Sequence, residues 1–222
     1  MVSQWMRALV SITAVVTAAL PPAMAADGDD ISVAEQRIFL DHHLQNIRDA
    51  TDLPYVFTQT GSDSDRFTDQ VILHVGAGKP ESRALKVDFL SGSRRLNLSS
   101  IEGGTGNPVI LYFLENDIRD LHNRLGGQEA YFRKRIRMAL AEKATVRPVQ
   151  LRYAGKTIDG HEVTISPYRD DPLKDRLKQF VSKSYVFTLS SAVPGGLYEL
   201  KTHVDADGTV PALDTVLTLE RR

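Results

Sequence analysis

Two hydrophobic periods alternate along this chain. In SVAEQRIFLDHHLQNIRDAT the apolar residues Ile38, Phe39, Leu44 and Ile47 recur at helical intervals. Ser32 followed three residues later by Glu35 has capping-box spacing, so an amphipathic helix is predicted over residues 33–50. After Pro54 the period becomes two. Val71, Leu73 and Val75 share one side of FTDQVILHV, and Leu85, Val87 and Phe89 share one side of RALKVDFL with Lys86 and Asp88 opposite. Preceded by LPYVFTQT and linked by the turn segment GAGKPES, these stretches predict a three-stranded antiparallel meander.

Helical spacing returns in VILYFLENDIRDLHNRL, with Asn107 as cap, Pro108 suited to the first turn and Gly126-Gly127 as the stop. A second helix over residues 129–143 gathers Phe132, Ile136, Ala139 and Leu140 on one side. VQLRY and HEVTIS then read as strands, and Asp171-Pro172 opens a short helix. A second meander is predicted from YVFT at Tyr185–Thr188, GGLYELKTHV and ALDTVLTLE. YVFT also occurs at Tyr55–Thr58, but these are residues that any strand favours. The repeat therefore reads as the first strands of two hairpin groups, with internal duplication as the alternative. Helix, meander, helices and meander in that order define an α+β architecture.

The N-terminus changes the setting. Arg7, the apolar run Ala8–Leu20 and the small-residue pattern Ala23-Met24-Ala25 read as a cleavable secretory signal. Pro21-Pro22 ends the apolar run short of the ~18 residues that suggest a membrane span. Residues 1–25 are thus expected to leave, and residues 26–222 to form one domain without a transmembrane segment, placed in a bacterial periplasm. The chain carries 27 Lys+Arg against 28 Asp+Glu, a balance that argues against nucleic acid as a partner. It has no cysteine, which excludes a thiolate nucleophile and Cys-ligated metal centres.

Candidate chemistry is sparse. Adjacent helical residues point about 100° apart, so His42 and His43 are expected in solvated or capping roles rather than as paired metal ligands. GAGKP lacks the first Gly and the hydroxyl residue of a phosphate loop, and EGGTGN lacks dinucleotide spacing. No nucleophile elbow is present. No catalytic residue, metal site or cofactor is therefore assigned. In YFRKRIRMALAEK, Arg133 and Arg137 share a helix face. They are expected either to complement the acidic ENDIRD stretch or to contact an anionic headgroup or protein partner.

Taken in series, LPYVFTQTGS, FTDQVILHV, RALKVDFLSG, the helical middle, KSYVFTLS and LYELKTHVD resemble the periplasmic lipoprotein-localisation fold of LolA-type carriers. That resemblance implies a curved, incomplete barrel-like sheet of two meanders wrapped around helices, with an apolar concave face that receives acyl chains. On it, Tyr55, Phe57, Phe89, Tyr185, Phe187 and Tyr198 are the candidate ligand-binding residues, with core filling as the alternative role. The family's early-strand arginine has no assigned counterpart here, and Trp5 leaves with the signal. The expectation is thus a non-enzymatic binder of a lipid or other apolar ligand. An interaction module docking on a periplasmic protein through its basic helix and a small exported hydrolase are the alternatives.

Overall fold

The computed structural model describes residues 31–62, 64–79, 82–97 and 101–220, with residues 101 and 102 described by their backbone. The expected signal peptide lies outside the described residues. Among the described residues nine strands form one antiparallel sheet: β1 (Thr51–Thr60), β2 (Phe67–Val75), β3 (Ala84–Phe89), β4 (Ile101–Glu102), β5 (Thr145–Tyr153), β6 (Lys156–Ile165), β7 (Ser184–Leu189), β8 (Leu197–Val204) and β9 (Leu213–Leu219). Their order, β4-β3-β2-β1-β9-β8-β7-β6-β5, leaves β4 and β5 as edges, so the curved sheet does not close into a barrel. The two meanders are fused where the last strand pairs with the first, Phe57 lying opposite Leu217.

Strict alternation makes one sheet face apolar. A single row of cross-strand partners, Phe57, Leu217, Leu200, Phe187 and Val163, crosses five strands on that face, and all five residues are buried. The two YVFT segments thus present the same face, but β1 and β7 run in opposite directions. Superposing β7 on β1 with that face kept inward would bring β8 onto β9 rather than onto β2. The two copies are not the first strands of a repeated unit.

Helices α2 (Val109–Leu125) and α3 (Glu129–Glu142) form the second layer, close to their predicted bounds. Asn107 caps α2 through its Oδ1, which accepts from the Val109 amide at 3.0 Å. Gly126, with φ +70, follows the last turn, a backbone region that glycine enters without steric cost. Phe113 of α2 meets Phe57 of the sheet with ring centroids 5.9 Å apart. A short helix, α4 (Lys174–Leu177), leads into a 3₁₀ turn, Lys178–Ser182, before β7.

The first predicted helix is cut short. α1 (Val33–Glu35) has the capping box of Ser32 and Glu35 and continues as a π-helical turn, Gln36–Leu40, but residues 41–50 are not helical. Tertiary partners claim the groups that a helix would need. Buried Arg83 donates to the carbonyls of Leu44 and Ile47 at 2.7 and 2.9 Å, and Leu44 N–H donates to Thr105 O at 3.0 Å. Asn46 donates through Nδ2 to the carbonyls of Ser191 and Val193 and accepts the Gly195 amide. These bonds satisfy backbone groups in place of an intrahelical ladder.

A buried polar cluster ties α2 to β7. Lys183 Nζ is 2.7 Å from Asp117 Oδ1, and Tyr185 OH donates to Asp117 Oδ2 at 2.6 Å. Burial, followed by the neighbouring Asp117 carboxylate, holds the Tyr185 phenol well above its usual pKa, so the hydroxyl stays a donor.

Candidate functional site

α3 packs against both α1 and α2. Ser32 Oγ donates to the Leu140 carbonyl at 3.0 Å, fastening α1 across the end of α3. Arg133 grips Glu115 through Nε and Nη2 at 2.8 and 2.7 Å, holding α3 beside α2. Between the three helices lies a groove of 320 Å³, floored by Phe39, Leu111, Leu114, Ile118, Ile136 and Leu140. Glu35, Glu115, Arg133 and Arg137 form its charged rim. Leu111 is 47% exposed here.

The rim charges are unevenly committed. The bond to Glu115 holds the Arg133 guanidinium above its usual pKa, with Glu129 at 3.7 Å as a weaker partner. Glu35 accepts the Ser32 amide in the capping box. The Arg137 side chain has no hydrogen bond or ion pair with another described residue. The complementarity expected between the basic helix and ENDIRD is present for Arg133 and Glu115. Asp117 turns inward to Lys183, and Asp120 pairs with Arg124 at 2.7 Å.

The aromatic candidates sit elsewhere. Tyr55, Phe57, Phe89, Tyr185 and Phe187 are each 1% exposed or less, between the sheet and α2. Tyr55 OH accepts from Asn107 Nδ2 at 2.9 Å, and Phe89 stands 6.0 Å from the Tyr112 ring. Tyr198 is half-buried, with its hydroxyl 3.4 Å from the Arg152 carbonyl. A ligand could reach the five inner rings only if α2 lifted from the sheet.

A second cleft of 520 Å³ lies between the turn after α1, the middle of β6 and the end of β7. Its wall includes His42, His43, His161, Asp159 and Ser190. His43 is buried rather than solvated: its Nδ1 accepts the Asn107 amide at 3.1 Å, which leaves Nε2 to donate to the Arg37 carbonyl at 2.8 Å. Burial, opposed by that carbonyl, lowers its pKa, so the ring is a neutral strut with no nitrogen left for acid–base work. Ser190 Oγ donates to the Asp159 carbonyl at 2.6 Å and accepts the Ala192 amide, so no base activates it.

The histidines that reach carboxylates stand on the outer sheet face. His74 lies 2.7 Å from Asp52 and 3.0 Å from Asp88, and His203 lies 2.6 Å from Asp214 and 3.0 Å from Asp205. Among the described residues no group of three or more His, Asp or Glu is placed to hold a metal ion, and no helix is long and apolar enough to cross a membrane.

Arg133 and Arg137, singled out in the sequence as one helix face, lie on the groove rim, whereas the groove floor was not singled out there. Its signal was present: Val109–Leu114 is apolar at every position, too broad a face for one contact with a sheet.

Fold and groove together define an α+β protein with an open antiparallel sheet backed by helices that carry a small apolar site. No protein-family model matches the chain, and no curated protein matches it. Among solved structures it has a weak, distant likeness to the lipoprotein LppX of Mycobacterium tuberculosis, with a TM-score of 0.31 and 10% sequence identity over 77% of this chain and 85% of that one.

Proposed function

We propose that this chain is an exported, non-catalytic periplasmic protein that binds a lipid or other apolar molecule. The observation that carries the reading is the three-helix groove, whose aliphatic and aromatic floor lies open beside a rim of charged side chains. Ligand sites of this kind combine an apolar lining with a few polar groups that orient the ligand. The five inner strand aromatics enter as the wall behind the site, holding α2 on the sheet so that Leu111, Leu114 and Ile118 keep their positions, while Tyr198 lies apart from it. The signal-like N-terminus supports export, and residues 26–222 act as one domain.

The test is mass spectrometry of an organic extract of the mature protein, purified from the periplasm without detergent. A stoichiometric apolar compound is expected. A blank extract, repeated after incubation with membrane lipids, would overturn the proposal. A stoichiometric protein released by salt would instead favour docking through α3, a reading carried by its exposed Lys134 and Arg137.

A further inference from the structure

The geometry points to a second surface, separate from the groove. Residues 169–178, between β6 and β7, form a contact for an anionic phospholipid bilayer, with Leu173 entering the interface and Lys174, Arg176 and Lys178 on the headgroups. This inference does not rest on the apolar-binding reading, and either can fail alone.

The segment is held from beneath and open above. Leu177 and Phe180 are buried, while Asp171 accepts the Tyr131 hydroxyl and lies 2.8 Å from Arg135 Nε. Residues 172–176 and Lys178 are exposed. Leu173 is 42% exposed, and of the large hydrophobic side chains exposed among the described residues it is the one followed by three cations within five positions. Interfacial segments bind by this combination, an apolar group entering the headgroup boundary while Lys and Arg meet anionic lipid. α3 turns Arg135, Met138 and Glu142 toward this segment and Arg133, Ile136 and Arg137 toward the groove, so the two surfaces lie on different sides of one helix.

The local charge stays positive with the neighbouring acids counted. Asp170 meets Lys143 at 2.9 Å and Asp171 meets Arg135, so each of these carboxylates is opposed by a full cation. The side chains of Arg169, Lys174, Arg176 and Lys178 have no ion pair with another described residue. Against them stand Asp175 and, from α3, Glu142 beside Asp170. Four cations thus face two carboxylates, on a chain whose overall charge is −1. Asp205 donates its amide to Ser182 and has His203 on its carboxylate, beyond the basic stretch. An acidic protein face would meet the same charge, but a bilayer also takes Leu173 without a preformed pocket.

The test is co-sedimentation of the mature protein at low salt with vesicles of phosphatidylcholine, alone or mixed with phosphatidylglycerol. Retention is expected on the mixed vesicles and should fall as salt is raised. Lys174→Gln and Arg176→Gln should each weaken it about fivefold, the worth of one basic residue near an anionic surface. Both side chains are exposed, so neither change should move the melting transition. Leu173→Trp puts an indole into a chain whose own Trp5 lies in the expected signal, and its emission should shift to shorter wavelength on the mixed vesicles. Arg137→Gln, on the groove rim, should change neither readout. Absence of retention on mixed vesicles would overturn the proposal. Retention that the Lys174 and Arg176 variants leave unchanged, or that Arg137→Gln abolishes, would overturn it by moving the contact elsewhere. Retention without an emission shift would overturn the insertion of Leu173, and binding of polyglutamate without vesicle retention would reassign the surface to an acidic protein. The organic extract of the Lys174→Gln, Arg176→Gln double variant should match that of the parent, which keeps the groove's test independent of this one.

Discussion

Replacing Lys183 by Met should cost far more than a surface charge change, because it strands a carboxylate. The Lys183 side chain is 1% exposed and that of Asp117 is 8% exposed. Their 2.7 Å contact holds two charges that have both left water, and Tyr185 supplies one further hydrogen bond. Removing only the cation leaves Asp117 with that phenol and no counter-charge. Breaking a buried pair on one side typically costs about 3–5 kcal/mol, and Met conserves most of the alkyl packing, so the loss should fall in that range. Replacing both partners, as Asp117→Leu with Lys183→Met, removes the buried charge altogether and should recover most of the loss. Guanidinium unfolding followed by far-ultraviolet circular dichroism measures each value at constant slope, and the double-mutant cycle should give a coupling above about 1.5 kcal/mol. A single-variant loss below about 1 kcal/mol, or a double variant whose loss equals the sum of the two singles, would refute the argument that this pair is desolvated and mutually dependent.

Three further outcomes follow from the geometry. Gly196 has φ +71 and an added Cβ would lie 2.8 Å from His43 Cβ, whereas Gly127 has φ +84 with nothing within 4 Å. Gly127→Ala should therefore lose only the ~1–2 kcal/mol of the left-handed region, and Gly196→Ala clearly more; equal losses in denaturation midpoints would contradict the close approach. Asn107→Ala should destabilise by about 3 kcal/mol, since one side chain serves Tyr55 OH, the Gly195 carbonyl and the Val109 amide, and a loss under 1 kcal/mol would show that water replaces it readily. For His74, burial alone would lower the pKa, but the hydrogen bonds to Asp52 and then Asp88 outweigh it, while for His203 the bond to Asp214 leads and the net shift is again upward. Both contributions should be complete below the unfolded-state value near 6.5 and fade as pH rises through the higher folded values. Imidazole proton titration by NMR checks this, and midpoints at or below 6.5 would remove the carboxylate clasps as the cause.

The sequence by itself determined the features that depend on neighbours along the chain. Alternation in Tyr55–Phe57, Val71–Val75 and Leu85–Phe89 set which side chains face inward, since a strand's period of two needs no distant partner. Pro108 and Gly126 bracketed α2 because capping is likewise local. What depended on distant partners was not legible. Helical spacing continued through residues 41–50, yet Arg83 and the loop at 191–195 took that segment's hydrogen bonds, and a periodicity rule contains no term for them. The pairing of β1 with β9, the burial of His43, and the Lys183–Asp117 contact likewise join residues far apart in the chain. The candidate site divided the same way. Arg133 and Arg137 were visible as a helix face, but only packing decided that Glu115 would neutralise one arginine and that α1 would lie beside the other to make a groove. Local pattern fixes which face of an element is apolar; which neighbour covers that face, and where cover is left incomplete, is decided by three-dimensional packing.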